Sequence, residues 1–224
     1  MATFDLAEQS VRDLNAHLHG AVSTPVSVTN PGGRHALAVG ATAAHDVSIE
    51  GNVGYYCAGM NQSASIRVAG HAGPGLAENM MSGRVQVEGN ASQYCAATAH
   101  GGLVVVEGDA SSRCGISMKG VDIVVRGEVG HMSAFMAQKG RLVVCGDAGD
   151  ALGDSIYEAR LYVRGKVASL GADCVEKPME APHLEELSGL LEQAGMSDIS
   201  AGDFKRYGSA RSLYHFNIDN ASAY

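Results

Sequence analysis

Glycine recurs at a fixed interval of nineteen residues along most of this chain. The residue two positions before each of these glycines is always β-branched, and the residue four positions before is always aliphatic. Apolar side chains therefore alternate within each unit, which is the period of a β-strand. Self-similarity at a fixed short period indicates a repeat architecture. We call the seven recurring residues the anchor glycines: Gly51, Gly70, Gly89, Gly108, Gly127, Gly146 and Gly165.

A nineteen-residue unit is too short for a helical hairpin repeat or a four-stranded propeller blade, but it matches one coil of a parallel β-helix. Equivalent strands would stack about 4.8 Å apart, so seven coils predict a rod about 35 Å long. An extra residue in one coil would turn later inward side chains outward, which explains the constant period. Gly32, with Val28 four residues before it, predicts a degenerate eighth coil upstream.

The composition narrows the function classes that are open to such a rod. The 224 residues include 29 glycines and no tryptophan, which fits a narrow interior of small and β-branched side chains. A net charge of -8 and the lack of a long Lys/Arg run argue against nucleic-acid binding. The sequence lacks a secretory signal and a spanning apolar run, so we expect a cytoplasmic protein without membrane contact. Five cysteines without a CxxC pair fit reduced thiols.

The side chains that could carry chemistry follow the repeat instead of forming a cluster. Three cysteines share one inward slot that holds mainly small or apolar residues in other coils, which predicts packing: Cys57, Cys95 and Cys114. The histidines His71, His100 and His131 occupy different slots, and HExxH is absent. Outward carboxylates beside the anchor glycines predict a solvated face: Glu50, Glu88 and Glu107. We therefore expect no catalytic, cofactor-binding or metal-binding residue in this chain.

One outward row of the predicted coils is apolar over four consecutive units. It lies three residues before the anchor glycines and is polar in the first three coils. A contiguous apolar patch usually marks an interface. We expect this outer apolar row to be covered, by a partner subunit or by the chain's own tail: Val105, Val124, Val143 and Tyr162.

The sequence divides into three regions, because a repeat rod needs caps at its ends. Residues 1–25 predict a helical cap, with Asp5 as a plausible start and Gly20 as a stop. Residues 26–175 form the predicted β-helix. Residues 176–224 predict a helix that begins near Pro182, followed by an aromatic and basic docking tail. We thus expect an all-β, single-stranded parallel β-helix with short helices at both ends.

The repeated pattern, as in GGLVVVEGDASSRCGISMKG and QKGRLVVCGDAGDALG, resembles the GXGXG β-helix domain at the C-terminal end of the glutamate synthase large subunit. The resemblance covers roughly residues 26–172, and the phased glycines make it fairly specific. The segments SVRDLNAHLHG and YGSARSLYHFNIDNASAY are more similar to free-standing members of that family. Those members are subunits of split, glutamate-synthase-like enzymes such as N-methylglutamate synthase (methylamine–glutamate N-methyltransferase).

The resemblance implies a right-handed coil and a scaffold role in a higher-order complex. The implied partners are a class II glutamine amidotransferase-like subunit and a glutamate-synthase-like subunit that carries FMN and an iron–sulfur cluster. The implied reaction converts glutamate and methylamine to N-methylglutamate and ammonia. A split glutamate synthase and formylmethanofuran dehydrogenase, whose C subunit shares the domain, are alternatives. A free-standing β-helix enzyme is a further alternative of a different class.

Overall fold

The computed structural model of this protein describes residues 1–211. Most of it is β-structure, with two α-helices, α1 and α2, and one 3₁₀ turn at Ala201–Asp203. The elements follow in chain order: β1 Ala2–Asp5, α1 Val11–Leu18, β2 Pro25–Thr29, β3 Asp46–Ile49, β4 Ser65–Val68, β5 Arg84–Val87, β6 Leu103–Val106, β7 Lys119–Val125, β8 Lys139–Val144, β9 Arg160–Val163, β10 Cys174–Lys177, α2 Ala181–Gln193 and β11 Lys205–Ser209. Residues 212–224, which hold most of the expected docking tail, lie outside the described part.

All eleven strands belong to one sheet, and β1 to β9 stack in chain order with parallel pairing. From β3 to β9 the aligned residues of neighbouring strands are nineteen apart, as with Val85 and Val104, except at a register shift that aligns Lys119 with Lys139. The valine, isoleucine and leucine side chains of the inward positions are buried along the whole stack. The predicted parallel β-solenoid of about seven turns is confirmed.

The first turns depart from the predicted phase. Val28 of β2 aligns with Ile49 of β3, so these strands are twenty-one residues apart and Gly32 is out of phase. The two extra residues lie in the connection, and an even number preserves which side chains face inward. Before them, β1 pairs with β2, so the N-terminal region contributes a strand as well as a helix. The helix is capped by Ser10 instead of Asp5, because Ser10 and Asp13 form a reciprocal capping box.

After each anchor glycine from Gly51 to Gly146, the coil bends through a segment in which every second residue has a left-handed backbone. In one coil these residues are Tyr94, Ala96 and Thr98, with φ angles of 63°, 54° and 55°. Their N–H groups point alternately to the next and the previous coil; Ala96 donates to the Leu76 carbonyl at 2.7 Å. Left-handed conformations cost about 1–2 kcal/mol per residue. The inter-coil hydrogen bonds offset this cost, at roughly 0.5–1.5 kcal/mol each.

The anchor glycines stack so closely that a side chain would meet the preceding coil. The N–H of Gly146 donates to the carbonyl of Gly127 at 2.9 Å. A Cβ added at Gly146 would lie 2.7 Å from both the carbonyl carbon and the oxygen of Gly127. These atoms belong to the backbone, so no rotamer change can relieve the contact. Close approach of the backbone, more than freedom of φ, is why glycine is required here.

A ladder of side-chain hydrogen bonds runs beside the anchor glycines. After five of the seven anchors, the side chain of the next residue accepts from the backbone N–H of the equivalent residue in the next coil. Asn52 accepts from His71 at 2.8 Å, and His71 Nδ1 accepts from Asn90 at 2.9 Å. Asn90 and Asp109 continue the pattern at 3.0 and 2.9 Å. His71 therefore has a structural role that the repeat alone did not reveal.

The two ends of the rod are closed in different ways. Helix α1 lies under the first coil, where the Asn15 amide donates to the Ala36 carbonyl at 2.8 Å. At the other end β11 adds to β9 in the antiparallel direction, and β10 then pairs with β11. Helix α2 lies on the outer face of the sheet instead of across this end. The tail segment 205–209 is thus part of the sheet.

Candidate functional site

The outer apolar row is fully covered by the chain itself. Its four side chains have no exposed surface, and they form a second core with buried leucines of α2: Leu187, Leu190 and Leu191. The sequence left two kinds of cover open, a partner subunit or the chain's own tail; in the structure the cover comes from this chain, but mainly from α2, with Phe204 of the following segment. Val105, Val124, Val143 and Tyr162 are therefore not an interface for a partner, because α2 occupies that surface.

A polar network fixes α2 beside the apolar row. Asp122 and Arg141 lie in adjacent coils, and Arg141 donates two hydrogen bonds to the Asp122 carboxylate, of 2.5 and 2.6 Å. Glu186 of α2 accepts from Arg141 at 3.1 Å, from Arg160 at 2.6 Å and from the Tyr162 hydroxyl at 2.6 Å. One carboxylate thus joins the helix to two neighbouring strands, β8 and β9.

The surroundings of Glu186 shift the ionisation of its neighbours. Burial alone would raise the pKa of Glu186, but hydrogen bonds from Tyr162 and Arg160 outweigh it, so its pKa lies below the usual range. Burial raises the pKa of Tyr162, and its hydrogen bond to Glu186 acts in the same direction. Burial also raises the pKa of Asp122, although the hydrogen bonds from Arg141 oppose that shift. Glu186 is therefore held as a carboxylate that accepts from cations and from a neutral phenol.

A basic cleft of about 530 Å³ opens next to this network on the same outer face. Glycine residues Gly120, Gly140 and Gly208 contribute to its walls, and two of the lining side chains are carboxylates, Glu158 and Glu186. Five of the lining side chains are cations: Lys139, Arg141, Arg160, Lys177 and Arg206. Positive charge therefore predominates locally in a chain whose net charge is -8. Sequence reasoning missed this cleft, because β10 and β11 contribute to it outside the repeat.

The cysteines of the shared slot lie inside the rod. Cys57, Cys95 and Cys114 have no exposed surface, and all five cysteines are free and buried. Burial raises the pKa of the Cys57 thiol to about 12. A hydrogen bond with Cys95, together with burial, raises the pKa of the Cys114 thiol well above its usual value. Protonated, inaccessible thiols are poor nucleophiles and poor metal ligands, which agrees with the packing interpretation.

The outward carboxylates beside the anchor glycines form surface ion pairs. Arg67 pairs with Glu50 at 3.8 Å and also with Glu88, while Arg126 pairs with Glu107 at 3.3 Å. These residues are partly exposed, as a solvated face predicts. Across residues 1–211 we find no group of three or more His, Cys, Asp or Glu side chains that could hold a metal ion. No helix in the same part of the chain has the length and apolar character needed to cross a membrane.

Comparisons with known proteins give one full-length match. No protein-family model matches the chain. The chain is 60% identical over 228 aligned positions to Protein GlxC of Rhizobium meliloti (strain 1021). The match covers 100% of both chains, so the rod, both ends and the C-terminal tail all have counterparts in that relative.

Proposed function

This chain belongs to the GlxC family, and from that premise we propose that it is a non-catalytic structural subunit of a glutamate-synthase-like complex. The name of the relative states no activity, so the nature of the complex rests on the resemblance to GXGXG β-helix domains. The relative supports the proposal in one respect: the whole chain, with its two ends, is a unit that recurs in another protein.

The observation that carries the proposal is the unbroken nineteen-residue repeat. Its anchor glycines stack from coil to coil at backbone contact distance, as Gly127 and Gly146 do. The inward slots of the solenoid are filled by apolar side chains and protonated thiols. A rod of this kind has fixed dimensions and presents surfaces at fixed separations. These are the properties that a subunit needs if it holds two enzymes in register.

The proposed partners are a class II glutamine amidotransferase-like subunit and a subunit with FMN and an iron–sulfur cluster. The proposed reaction of the complex converts glutamate and methylamine to N-methylglutamate and ammonia. In this proposal the reaction centres lie on the partners, and the β-solenoid sets their distance and orientation. The split glutamate synthase and formylmethanofuran dehydrogenase complexes differ in reaction but would use the rod in the same way.

The test is purification of the tagged chain at its native abundance, followed by mass analysis of the proteins that accompany it. We expect an amidotransferase-like chain and a protein with flavin absorbance and bound iron. The purified complex is then supplied with glutamate and methylamine, and N-methylglutamate is measured. Co-purification with ammonia-dependent glutamate formation instead would keep the scaffold role and change the reaction. A folded chain that is recovered alone would refute the scaffold role and favour a free-standing enzyme.

A further inference from the structure

We propose that the basic cleft is the docking site for an acidic segment of a partner protein. The cleft is a different surface from the outer apolar row, which α2 covers. It deepens the proposed function, since it names the chemistry by which the rod would hold a partner. Lys139, Lys177 and Arg206 carry the argument.

The first step is that cations outnumber carboxylates in the lining of the cleft, five against Glu158 and Glu186. Arg141 and Arg160 share the carboxylate of Glu186. Lys139 of β8 and Lys177 of β10 add two further cations to the walls of the cleft. Arg206 is oriented by a hydrogen bond from Nε to the Pro178 carbonyl at 2.9 Å. A group of cations in excess over carboxylates attracts an anionic ligand.

The second step is the separation of these cations across the sheet. Lys139 belongs to β8 and Lys177 to β10, and the strand order places β9 and β11 between them. Three strand spacings correspond to about 14 Å, and the register aligns Lys177 with Val143, about 13 Å further along the strands than Lys139, so the two backbone positions are about 19 Å apart. A small dicarboxylate is shorter than this separation. Acidic side chains six residues apart on an extended polypeptide are separated by about 20 Å, which matches it.

The third step is the shape of the cleft. Its volume of about 530 Å³ is open to solvent along the sheet face, and glycines replace side chains at three lining positions. At Gly208 an added Cβ would have no neighbour closer than 3.8 Å, so the space above this strand residue is empty within the described chain. An open cleft lined by charged side chains suits a polypeptide segment better than an enclosed small molecule, which usually occupies an apolar pocket.

The experiment measures binding of a fluorescein-labelled, glutamate-rich peptide to the full-length protein by anisotropy. The test variant is Lys139→Glu/Lys177→Glu. The matched control is Arg12→Glu/Lys166→Glu, which changes the net charge equally at two exposed positions outside the cleft. We expect the test variant to weaken binding about tenfold or more, because like charges then face each other. The control should bind as the wild type does, and both variants should unfold at the wild-type temperature.

Three results would overturn the proposal. The peptide could fail to bind the wild type, or both variants could weaken binding equally, which would indicate a general charge effect. Displacement of the peptide by an equal concentration of citrate or phosphate would assign the cleft to small anions instead. Failure of the proposed function is read separately, by co-purification. If the wild-type chain recovers partners and the test variant recovers them equally well, the scaffold role stands and the cleft is not their docking site.

Discussion

Replacing an anchor glycine with alanine should strongly destabilise the rod, and Gly146→Ala is the clearest case. Its new Cβ would lie 2.7 Å from the backbone carbonyl of Gly127, about 0.7 Å closer than ordinary van der Waals contact. The two coils must separate or tilt to relieve this contact. Overpacking of this kind costs about 1–3 kcal/mol. The displaced hydrogen bond from Gly146 to Gly127 adds roughly 1 kcal/mol.

We therefore expect a loss of about 2–4 kcal/mol in the free energy of unfolding, a large share of a typical total of about 5–15 kcal/mol. Urea unfolding followed by circular dichroism measures it. The control is Gly189→Ala in α2, where an added Cβ has nothing within 4 Å. That change should stabilise the protein by up to about 1 kcal/mol, because alanine favours helix. If Gly146→Ala unfolds at the wild-type urea concentration, stacking contact is not the reason for the repeated glycine.

Three further predictions concern the covered outer face and the interior. Leu187→Ala should cost about 2–5 kcal/mol and expose α2 to protease, since Leu187 is fully buried against the sheet; unfolding curves and limited proteolysis check this. Because the pKa of Glu186 is lowered in the folded state, its carboxylate contributes to the free energy of unfolding at pH values above its unfolded-state pKa. This contribution is lost as pH falls through the folded-state pKa. The difference in melting temperature between wild type and Glu186→Gln should therefore shrink from about pH 6 to about pH 3, on either side of the usual carboxyl pKa of about 4.3. A constant difference would show that the Glu186 carboxylate does not stabilise the fold. Cys57, whose thiol pKa is about 12, should resist a thiol reagent at pH 8 in the native protein and react after unfolding; rapid native labelling would show that the interior opens.

The coil could be predicted from the sequence because its period repeats without a gap. The same period places Asp122, Arg141 and Arg160 in one outward row, as the structure has them. Glu186 could not be added to that row, because no repeat determines where a following helix lies. The amphipathic pattern of α2 predicted a helix with one apolar face, but a partner surface would satisfy that pattern equally well.

Other features were hidden for different physical reasons. The left-handed residues of the bends include tyrosine, alanine and threonine, which give no sign of that conformation in a sequence. The antiparallel placement of β11 between β9 and β10 depends on a contact between distant parts of the chain. The basic cleft combines strands from inside and outside the repeat, so its cations are scattered in sequence and meet only after folding.

The reversed direction of β11 has a consequence for how long such a molecule can be. Each parallel coil exposes the same kind of strand edge to the coil that follows, so parallel stacking alone does not limit the number of coils. An antiparallel strand on β9 breaks that equivalence, because the following edge has a different hydrogen-bond pattern. The length of the rod is therefore fixed by one terminating strand, while the number of internal coils is free to change by whole units. Insertion or deletion of a whole coil would change the length of the rod by about 4.8 Å and leave both ends unchanged.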